Sequence, residues 1–154
     1  MQFLLKDNID IIKKIKAERK KIVFTNGCFD LLHVGHIRYL SQAKKLGNFL
    51  IIGLNSDRSV KNLKGKDRPI NSFEDRATLL LALNSVDLVI KFEEKTPENL
   101  IKEIVPDILV KGGDYNIEDI VGYHTVVQNG GQVKTLSFYD DYSSTNYINK
   151  INKP

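Results

Sequence analysis

The chain contains a single cysteine, Cys28, among its 154 residues. One thiol cannot form a disulfide within the chain, so the class of small secreted proteins held together by disulfides is excluded. The composition agrees with a reducing compartment. We interpret Cys28 as a packing residue rather than as a catalytic nucleophile, because a free cysteine behaves as a small hydrophobic side chain.

Long apolar runs are also missing. No stretch approaches the roughly 20 residues that a membrane helix needs. Residues 1–21 carry charged side chains where a secretory signal has its apolar core. We therefore predict a cytoplasmic protein without a membrane partner. The net charge of +4 is too mild to indicate nucleic-acid binding.

Short apolar runs alternate with helical patterns along the chain, whose length suits one domain with one core. The runs predict five strands, at residues 21–25, 48–54, 86–91, 108–111 and 133–136. Helices are predicted at residues 7–20, 34–46, 72–84 and 117–129. Two more helices are predicted, one capped by Thr96 and one capped by Ser143 or Ser144, and residues 56–70 are predicted as a loop. Strands that are apolar throughout indicate a parallel sheet with helices on both faces, an α/β fold.

Ligands of such sheets bind at the carboxyl ends of the strands, near the switch in strand order. Four segments follow predicted strands at that edge: residues 26–36, 55–68, 111–115 and 139–145. All the unusual chemistry of the sequence falls within these segments. We therefore expect one site that they share.

Two histidines open the helix after the first strand, in the sequence His33-Val34-Gly35-His36. Residues three apart face the same side of a helix, and its first turn offers free N–H groups and the positive end of its dipole. Gly35 removes a side chain, which lets a phosphate approach the backbone. We predict a phosphate site with two imidazole donors; a zinc site and two unrelated surface histidines are the alternatives.

A basic cluster, Lys61, Lys64, Lys66 and Arg68, lies in the segment after the second strand. We predict that Lys64 and Arg68 bind phosphate and that the segment closes as a lid, because Gly65 gives it freedom to move. The alternative is a solvated surface loop.

Two further segments are weaker signals. Tyr142, Ser143, Ser144 and Thr145 precede the last helix, where hydroxyls and free amides can hold outer phosphates or simply cap the helix. The segment 111–115 contains two glycines, which let the backbone approach a flat base or make a tight turn.

Together these motifs resemble the HxGH nucleotidylyltransferase superfamily, and within it the heptose 1-phosphate adenylyltransferases most closely. The resemblance covers residues 21–151 and rests on TNGCFDLLHVGH, GLNSD, LKGKDRPIN, EDR, VKGGDY and YSST. A lesser resemblance is to glycerol-3-phosphate cytidylyltransferases. The main resemblance, to the adenylyltransferases, implies a Rossmann-like doubly wound sheet, a homodimer, and ATP with Mg²⁺ bound mainly through its phosphates. The nucleotidylyltransferase domain is expected over residues 21–154, behind a helical extension of residues 1–20.

The resemblance also implies roles for individual residues. The expected catalytic residues are His33, His36 and Lys64. The expected nucleotide-binding residues are Asn26, Gly27, Cys28, Phe29, His33, Gly35, His36, Arg68, Gly112, Asp114, Tyr142, Ser143, Ser144 and Thr145, within a segment 138–145 that meets the nucleotide. The expected acceptor-binding residues are Asp30, Asn55, Lys64 and Arg76. No metal-ligating side chain is expected.

The sequence departs from the superfamily at Ile148, where many members carry an arginine that binds phosphate. It also has no room for the sugar kinase domain to which many heptose enzymes are fused, so we expect a separate kinase. Three functions stay open: transfer of AMP to a heptose 1-phosphate, transfer of a nucleotide to glycerol 3-phosphate or another phosphorylated alcohol, and nucleotide binding without turnover.

Overall fold

A computed structural model describes residues 3–137 and 142–151 of the chain. Five parallel strands form one sheet in the order β3-β2-β1-β4-β5. The strands are β1 (Ile22–Gly27), β2 (Phe49–Asn55), β3 (Leu88–Phe92), β4 (Ile108–Gly112) and β5 (Gln132–Leu136). The central strand β1 therefore separates β2 and β3 from β4 and β5, and the strand order reverses between β1 and β4.

Helices cover both faces of this sheet. They are α1 (Leu5–Ala17), α2 (Val34–Lys44), α3 (Asp57–Lys64), α4 (Phe73–Leu81), α5 (Glu98–Ile104), α6 (Tyr123–Gln128) and α7 (Ser144–Ile151), with a 3-10 turn at Ile117–Asp119. Neighbouring strand residues point to opposite faces. Val23 packs with α2 and α4, while Ile22 and Phe24 pack with α1, α5 and α6. The predicted Rossmann-like, doubly wound α/β fold is confirmed.

The N-terminal helix belongs to the packed domain. Ile12 and Ile15 of α1 are buried in the second of these cores. The Lys91 amide donates a hydrogen bond to the Phe3 carbonyl at 2.8 Å, and the Phe3 ring meets the Phe73 ring edge-on at 5.2 Å. Helix α1 therefore packs as part of the same domain as the described residues from 21 onward, because it covers apolar surface of the sheet.

The predicted loop at residues 56–70 was wrong over half its length, since it contains α3. Ser56 caps this helix, accepting a hydrogen bond from the Ser59 amide at 3.1 Å, and Gly65 ends it with φ at +104°. Only Ser59 and Val60 of α3 are buried, so the apolar periodicity that identifies other helices is absent here.

Two other helix predictions need correction. The helix expected at residues 117–129 is broken into the 3-10 turn and α6, because Gly122 takes a left-handed conformation with φ at +92°. The Thr96 side chain makes no capping hydrogen bond, and Pro97 occupies the capping position of α5. The Ser72 cap is confirmed, as the Asp75 amide donates to its hydroxyl at 3.2 Å.

Candidate active site

The two histidines face each other at the start of α2. His33 caps the helix, and its Nδ1 accepts a hydrogen bond from the His36 amide at 3.4 Å. The two rings stack with centroids 3.7 Å apart, and Phe29 contacts the His36 ring edge-on at 5.0 Å. Nδ1 of His36 is buried and has no hydrogen-bond partner among the described residues. Such an atom can be satisfied by an ordered water or by a bound ligand.

Both imidazoles are neutral at neutral pH. Burial, the neighbouring His33 and the charge of Lys64 lower the pKa of His36 to about 4, against a hydrogen bond to the Leu31 backbone that raises it. Burial also lowers the pKa of His33. A neutral imidazole keeps one N–H donor, so the pair offers hydrogen bonds rather than positive charges to a ligand.

The pair lines a cavity of about 380 Å³ between α2, α3 and α7. We call it the first cavity. Its lining residues are His33, Gly35, His36, Tyr39, Lys64, Ser137, Tyr142, Ser143, Ser144 and Thr145. The structure therefore brings the two histidines, Lys64 and the hydroxyl segment together, as the sequence predicts. Residues 138–141 of the segment expected to meet the nucleotide lie outside the described residues.

Gly35 allows the start of α7 to lie against the start of α2. A Cβ atom at this position would stand 2.9 Å from the Cβ of Tyr142 and 3.1 Å from Nδ1 of His33. Ser144 donates a hydrogen bond to the Leu31 carbonyl at 3.1 Å, and Ser143 caps α7 through the Asn146 amide at 3.0 Å. The glycine is thus required by the packing of two helix starts around the cavity.

A second cavity of about 380 Å³ opens on the other side of β1. Polar residues lining it include Asn26, Asn55, Lys95, Thr96, Lys111 and Tyr115. A connecting cavity of about 220 Å³ shares His36, Tyr39, Lys64 and Ser144 with the first and Asn26, Gly27, Cys28, Lys111 and Tyr115 with the second. The three form one cleft across the carboxyl ends of β1 and β4.

Lys64 stands where the first and connecting cavities meet. It is the last residue of α3, and its charge is one of the causes that lower the pKa of His36. Burial raises the pKa of the Cys28 thiol, and the Lys64 charge opposes that rise. Lys61 and Lys66 are exposed and line none of the three cavities. The structure thus separates one lysine of the basic cluster from the others, and it places that lysine at the end of a helix rather than in a loop.

Arg68 and Asp30 are expected ligands that the structure pairs with each other. Their side chains form an ion pair in which the exposed fractions are 12% and 1%. Asp30 also accepts hydrogen bonds from the amides of Ile70, at 2.7 Å, and Asn71, at 3.2 Å. Asp30 lines only the connecting cavity and Arg68 lines none of the three. This network holds the loop after α3 against the end of β1.

Arg76 is a further expected acceptor ligand that the structure places elsewhere. It is 1% exposed, lines none of the three cavities and donates only to protein atoms among the described residues. The exposed Asp114, expected to bind nucleotide, lines none of them either. Their acceptor-binding and nucleotide-binding roles therefore have no support in this geometry, because neither side chain faces the cleft.

Lys111 is a cleft residue to which the sequence interpretation gave no role of its own, although its segment 111–115 was expected at the site. It lies in β4, is half-buried, and lines both the second and the connecting cavity. Burial lowers the pKa of its ammonium, and no other described residue forms an ion pair or hydrogen bond with that ammonium. The signal was a lysine at a strand end directly before two glycines. Tyr39, Ser137 and Thr96 are lining residues outside the predicted segments, and Tyr115 is a lining residue of the segment 111–115 that had no assigned role.

No three side chains of His, Cys, Asp or Glu converge on one point within residues 3–137 and 142–151. No Asp or Glu among the described residues lines the first cavity. None of the described helices is long and apolar enough to cross a membrane. The donors of the first cavity are imidazoles, hydroxyls and an ammonium, which suit an anion.

A parallel sheet with helices on both faces and a cleft of anion-suited donors at its switch point is the arrangement found in nucleotide-binding α/β proteins. The family model for cytidylyltransferase-like proteins matches residues 24–150. The chain belongs to the cytidylyltransferase-like family.

Individual relatives agree with this family. The chain is 58% identical over 139 residues to the bifunctional protein HldE of Haemophilus ducreyi, covering 90% of this chain and 29% of that protein. It is 57% identical over 134 residues to HldE of Proteus mirabilis, covering 87% of this chain and 28% of that protein. The chain thus spans about 30% of the length of the curated relatives it matches.

Solved structures share the fold. The crystal structure of the lipopolysaccharide core biosynthesis protein from Thermoplasma volcanium matches with a TM-score of 0.63 and 30% identity, over 77% of this chain and 96% of that chain. Thermotoga maritima TmcAL, solved with alpha-thio ATP, matches with a TM-score of 0.60 at 14% identity, over 85% of this chain and 50% of that one, and shows the fold alone.

Proposed function

We propose that this nucleotidyltransferase transfers AMP from ATP to a heptose 1-phosphate, giving ADP-heptose and pyrophosphate. One observation carries the proposal: the first and second cavities are joined by the connecting cavity, which Lys64 and His36 line on the side of the first cavity and Lys111 lines on the side of the second. Such a cleft has room for two phosphorylated substrates with their phosphates at the junction. The similarity to HldE proteins and to a lipopolysaccharide core biosynthesis protein supports the sugar acceptor.

The triphosphate of ATP fits the first cavity. Its anionic oxygens meet imidazole N–H donors from His33 and His36, the hydroxyls of residues 143–145 and the N-terminal amides of α2 and α7. ATP is the substrate in this proposal. Mg²⁺ would be held mainly by the ATP phosphates and would supply positive charge to them. The lining of the first cavity fits this arrangement, because its described part contains no carboxylate that competes for the metal.

The reaction needs positioning and charge stabilisation rather than a strong base. A phosphate oxygen of the acceptor is already anionic, and it forms the new bond to the α-phosphorus of ATP. The bond from that phosphorus to the oxygen bridging to the β-phosphorus breaks, and its electron pair leaves with pyrophosphate. Lys64 brings two anions together, and the neutral imidazoles donate hydrogen bonds to the charge that develops.

The second cavity holds the acceptor in this proposal. Lys111 is the half-buried cation on that side of the cleft, and the acceptor phosphate lies between Lys111 and Lys64. Asn55 and Thr96 offer amide and hydroxyl partners for sugar hydroxyls. An ammonium with a pKa lowered by burial gains most from an anionic partner, so Lys111 favours a phosphorylated ligand.

Lys111→Met is expected to raise the KM for the acceptor roughly tenfold or more, because it removes a charged hydrogen bond while keeping most of the bulk. The KM for ATP should change little. Pyrophosphate release at varied acceptor and ATP measures both constants. Lys134→Met is the matched control, since Lys134 is a half-buried lysine of the adjacent strand β5 that lines none of the three cavities. Equal effects of the two variants on the KM for the acceptor would show that Lys111 does not bind the acceptor.

A panel of substrates tests the proposed reaction. Purified protein is mixed with ATP or CTP and with heptose 1-phosphate, glycerol 3-phosphate or no acceptor, and pyrophosphate release is followed. We expect release with ATP and heptose 1-phosphate, loss of it with EDTA and recovery on adding Mg²⁺. Because the family model describes cytidylyltransferase-like proteins, a preference for CTP and glycerol 3-phosphate is the second candidate. Nucleotide binding without release would identify a non-catalytic module.

The same proposal includes the setting of the enzyme. We propose a cytoplasmic homodimer, with a separate sugar kinase acting upstream of it in the same pathway. The HldE relatives are bifunctional by name, and this chain matches about 30% of their length, so the kinase as a separate protein stays a prediction.

A further inference from the structure

Arg76 of α4 joins three segments that surround the cleft. Its Nη1 donates to the Cys28 carbonyl at 2.6 Å, its Nη2 to Oδ1 of Asp57 at 2.8 Å, and its Nε to the Asn71 carbonyl at 3.1 Å. These partners belong to the turn after β1, the first turn of α3 and the loop before α4. One buried guanidinium thus fixes the turn that precedes the histidines and the helix that carries Lys64.

Helix α3 is anchored only near its N-terminus. Ser59 and Val60 are buried, and Asn55 donates a hydrogen bond to the Ser59 hydroxyl at 3.0 Å. Residues 61–64 are all exposed, and Gly65 follows with φ at +104°. The eight residues of α3 span about 12 Å. A small rotation at Asp57 is therefore amplified into a displacement of Lys64 at the other end.

We propose that Arg76 is a positioning residue, which sets the distance of Lys64 from the histidine pair through its ion pair with Asp57. The inference rests on the proposed function for its catalytic consequence, and on geometry alone for the placement of Lys64. It replaces the role of acceptor ligand, because Arg76 lines none of the three cavities.

The charge of Arg76 has a cost that favours this role. A fully buried guanidinium loses its hydration, and a buried ion pair is often no more stabilising than apolar packing of similar size. What the guanidinium of Arg76 does provide is a set of donors with fixed directions, which match its three separate acceptors. The Arg58–Glu93 ion pair on the same turn of α3 is different, since the Arg58 side chain is 74% exposed and such pairs contribute little.

Asp57→Ala tests the inference without emptying the core, because the Asp57 side chain is 48% exposed. We expect kcat to fall roughly 10- to 100-fold through displacement of Lys64, with the KM for ATP changed less than about twofold. Arg58→Ala is the matched control, since it removes an exposed ion pair from the same helix turn, and its kcat should stay near that of the wild type. Thermal unfolding of both variants checks that each remains folded.

Two further measurements distinguish positioning from a general loss of structure. In the Lys64→Met background, Asp57→Ala should lower kcat no further, whereas independent effects multiply. NMR titration of His36 needs no turnover. Asp57→Ala should raise the pKa of His36 toward its value in Lys64→Met, because the Lys64 charge then moves away, and Arg58→Ala should leave it unchanged.

The outcomes separate the inference from the proposed function. An unchanged pKa of His36 in Asp57→Ala, or effects of Asp57→Ala and Lys64→Met that multiply, would overturn the positioning role even if the wild type is fully active. A wild type that releases no pyrophosphate with any substrate would overturn the proposed function. In that case the NMR titration still decides whether Asp57 and Arg76 place Lys64.

Discussion

Alanine at His33 or His36 is expected to lower kcat by about 100-fold or more, as for loss of a hydrogen-bond donor to charge that develops in a transition state. The two rings stack at 3.7 Å at the edge of the first cavity, and Nδ1 of His36 is buried without a partner among the described residues. Steady-state kinetics on each single variant, with pyrophosphate release as the signal, measures the loss. The KM for ATP should change less than kcat.

His124→Ala is the control for this experiment, because His124 is exposed and lines none of the three cavities. The double variant without His33 and His36 should be little slower than the worse single variant, since the two rings act as one stacked unit. Near-normal turnover of His36→Ala in a folded protein would mean that the imidazole pair only packs α2 against its neighbours.

The sequence predicted the parts of the cleft that follow from local rules. Apolar runs identified the strands, and three-residue spacing at a helix start placed His33 beside His36. Ser143 or Ser144 was predicted to cap the last helix, and the Ser143 hydroxyl accepts a hydrogen bond from the Asn146 amide. These features depend on residues near one another in the chain, so a single sequence contains the information.

The roles of the charged side chains depended on distant partners, and the sequence could not supply them. Arg68 and Asp30 lie in segments predicted at the cleft and Arg76 lies in the helix that follows, and each of these charges is equally suited to a ligand or to an ion pair. The structure pairs Arg68 with Asp30, 38 residues away, and Arg76 with Asp57, 19 residues away. Lys111 is the opposite case, because it lacks such a partner among the described residues and faces the cavities instead.

Helix α3 shows why the lid was predicted in the wrong form. Its exposed surface is polar and only two of its residues are buried, so the sequence shows no apolar periodicity there and a loop was predicted. The Ser56 cap and the Gly65 stop were present in the sequence as the signals of a short helix. The consequence is mechanistic, because a lysine at the end of a helix is held in one place more firmly than a lysine in a flexible loop.

Lys64→Met is expected to lower kcat by roughly 100-fold or more, with a smaller effect on ATP binding. Lys64 is the one lysine that lines both the first and the connecting cavity among the described residues. In the proposed reaction its ammonium lies where the acceptor phosphate meets the α-phosphate, so we expect its charge to matter most when two anions approach in the transition state. Interactions that strengthen only in the transition state raise kcat rather than affinity. Methionine keeps most of the bulk and removes the charge.

Kinetics on Lys61→Met, Lys64→Met and Lys66→Met, measured side by side, isolates this effect. All three variants lose one positive charge from the same short segment, so the general electrostatic attraction of ATP falls equally in each. Lys61 and Lys66 are exposed and line none of the three cavities, and we expect their kcat values to stay within about twofold of the wild type. A large loss confined to Lys64→Met supports charge stabilisation at the junction of the cavities. Equal small losses in all three would show that the cluster acts only as a basic surface. The junction of the first and connecting cavities would then need another cation, and Lys111 is the other described lysine that lines the connecting cavity.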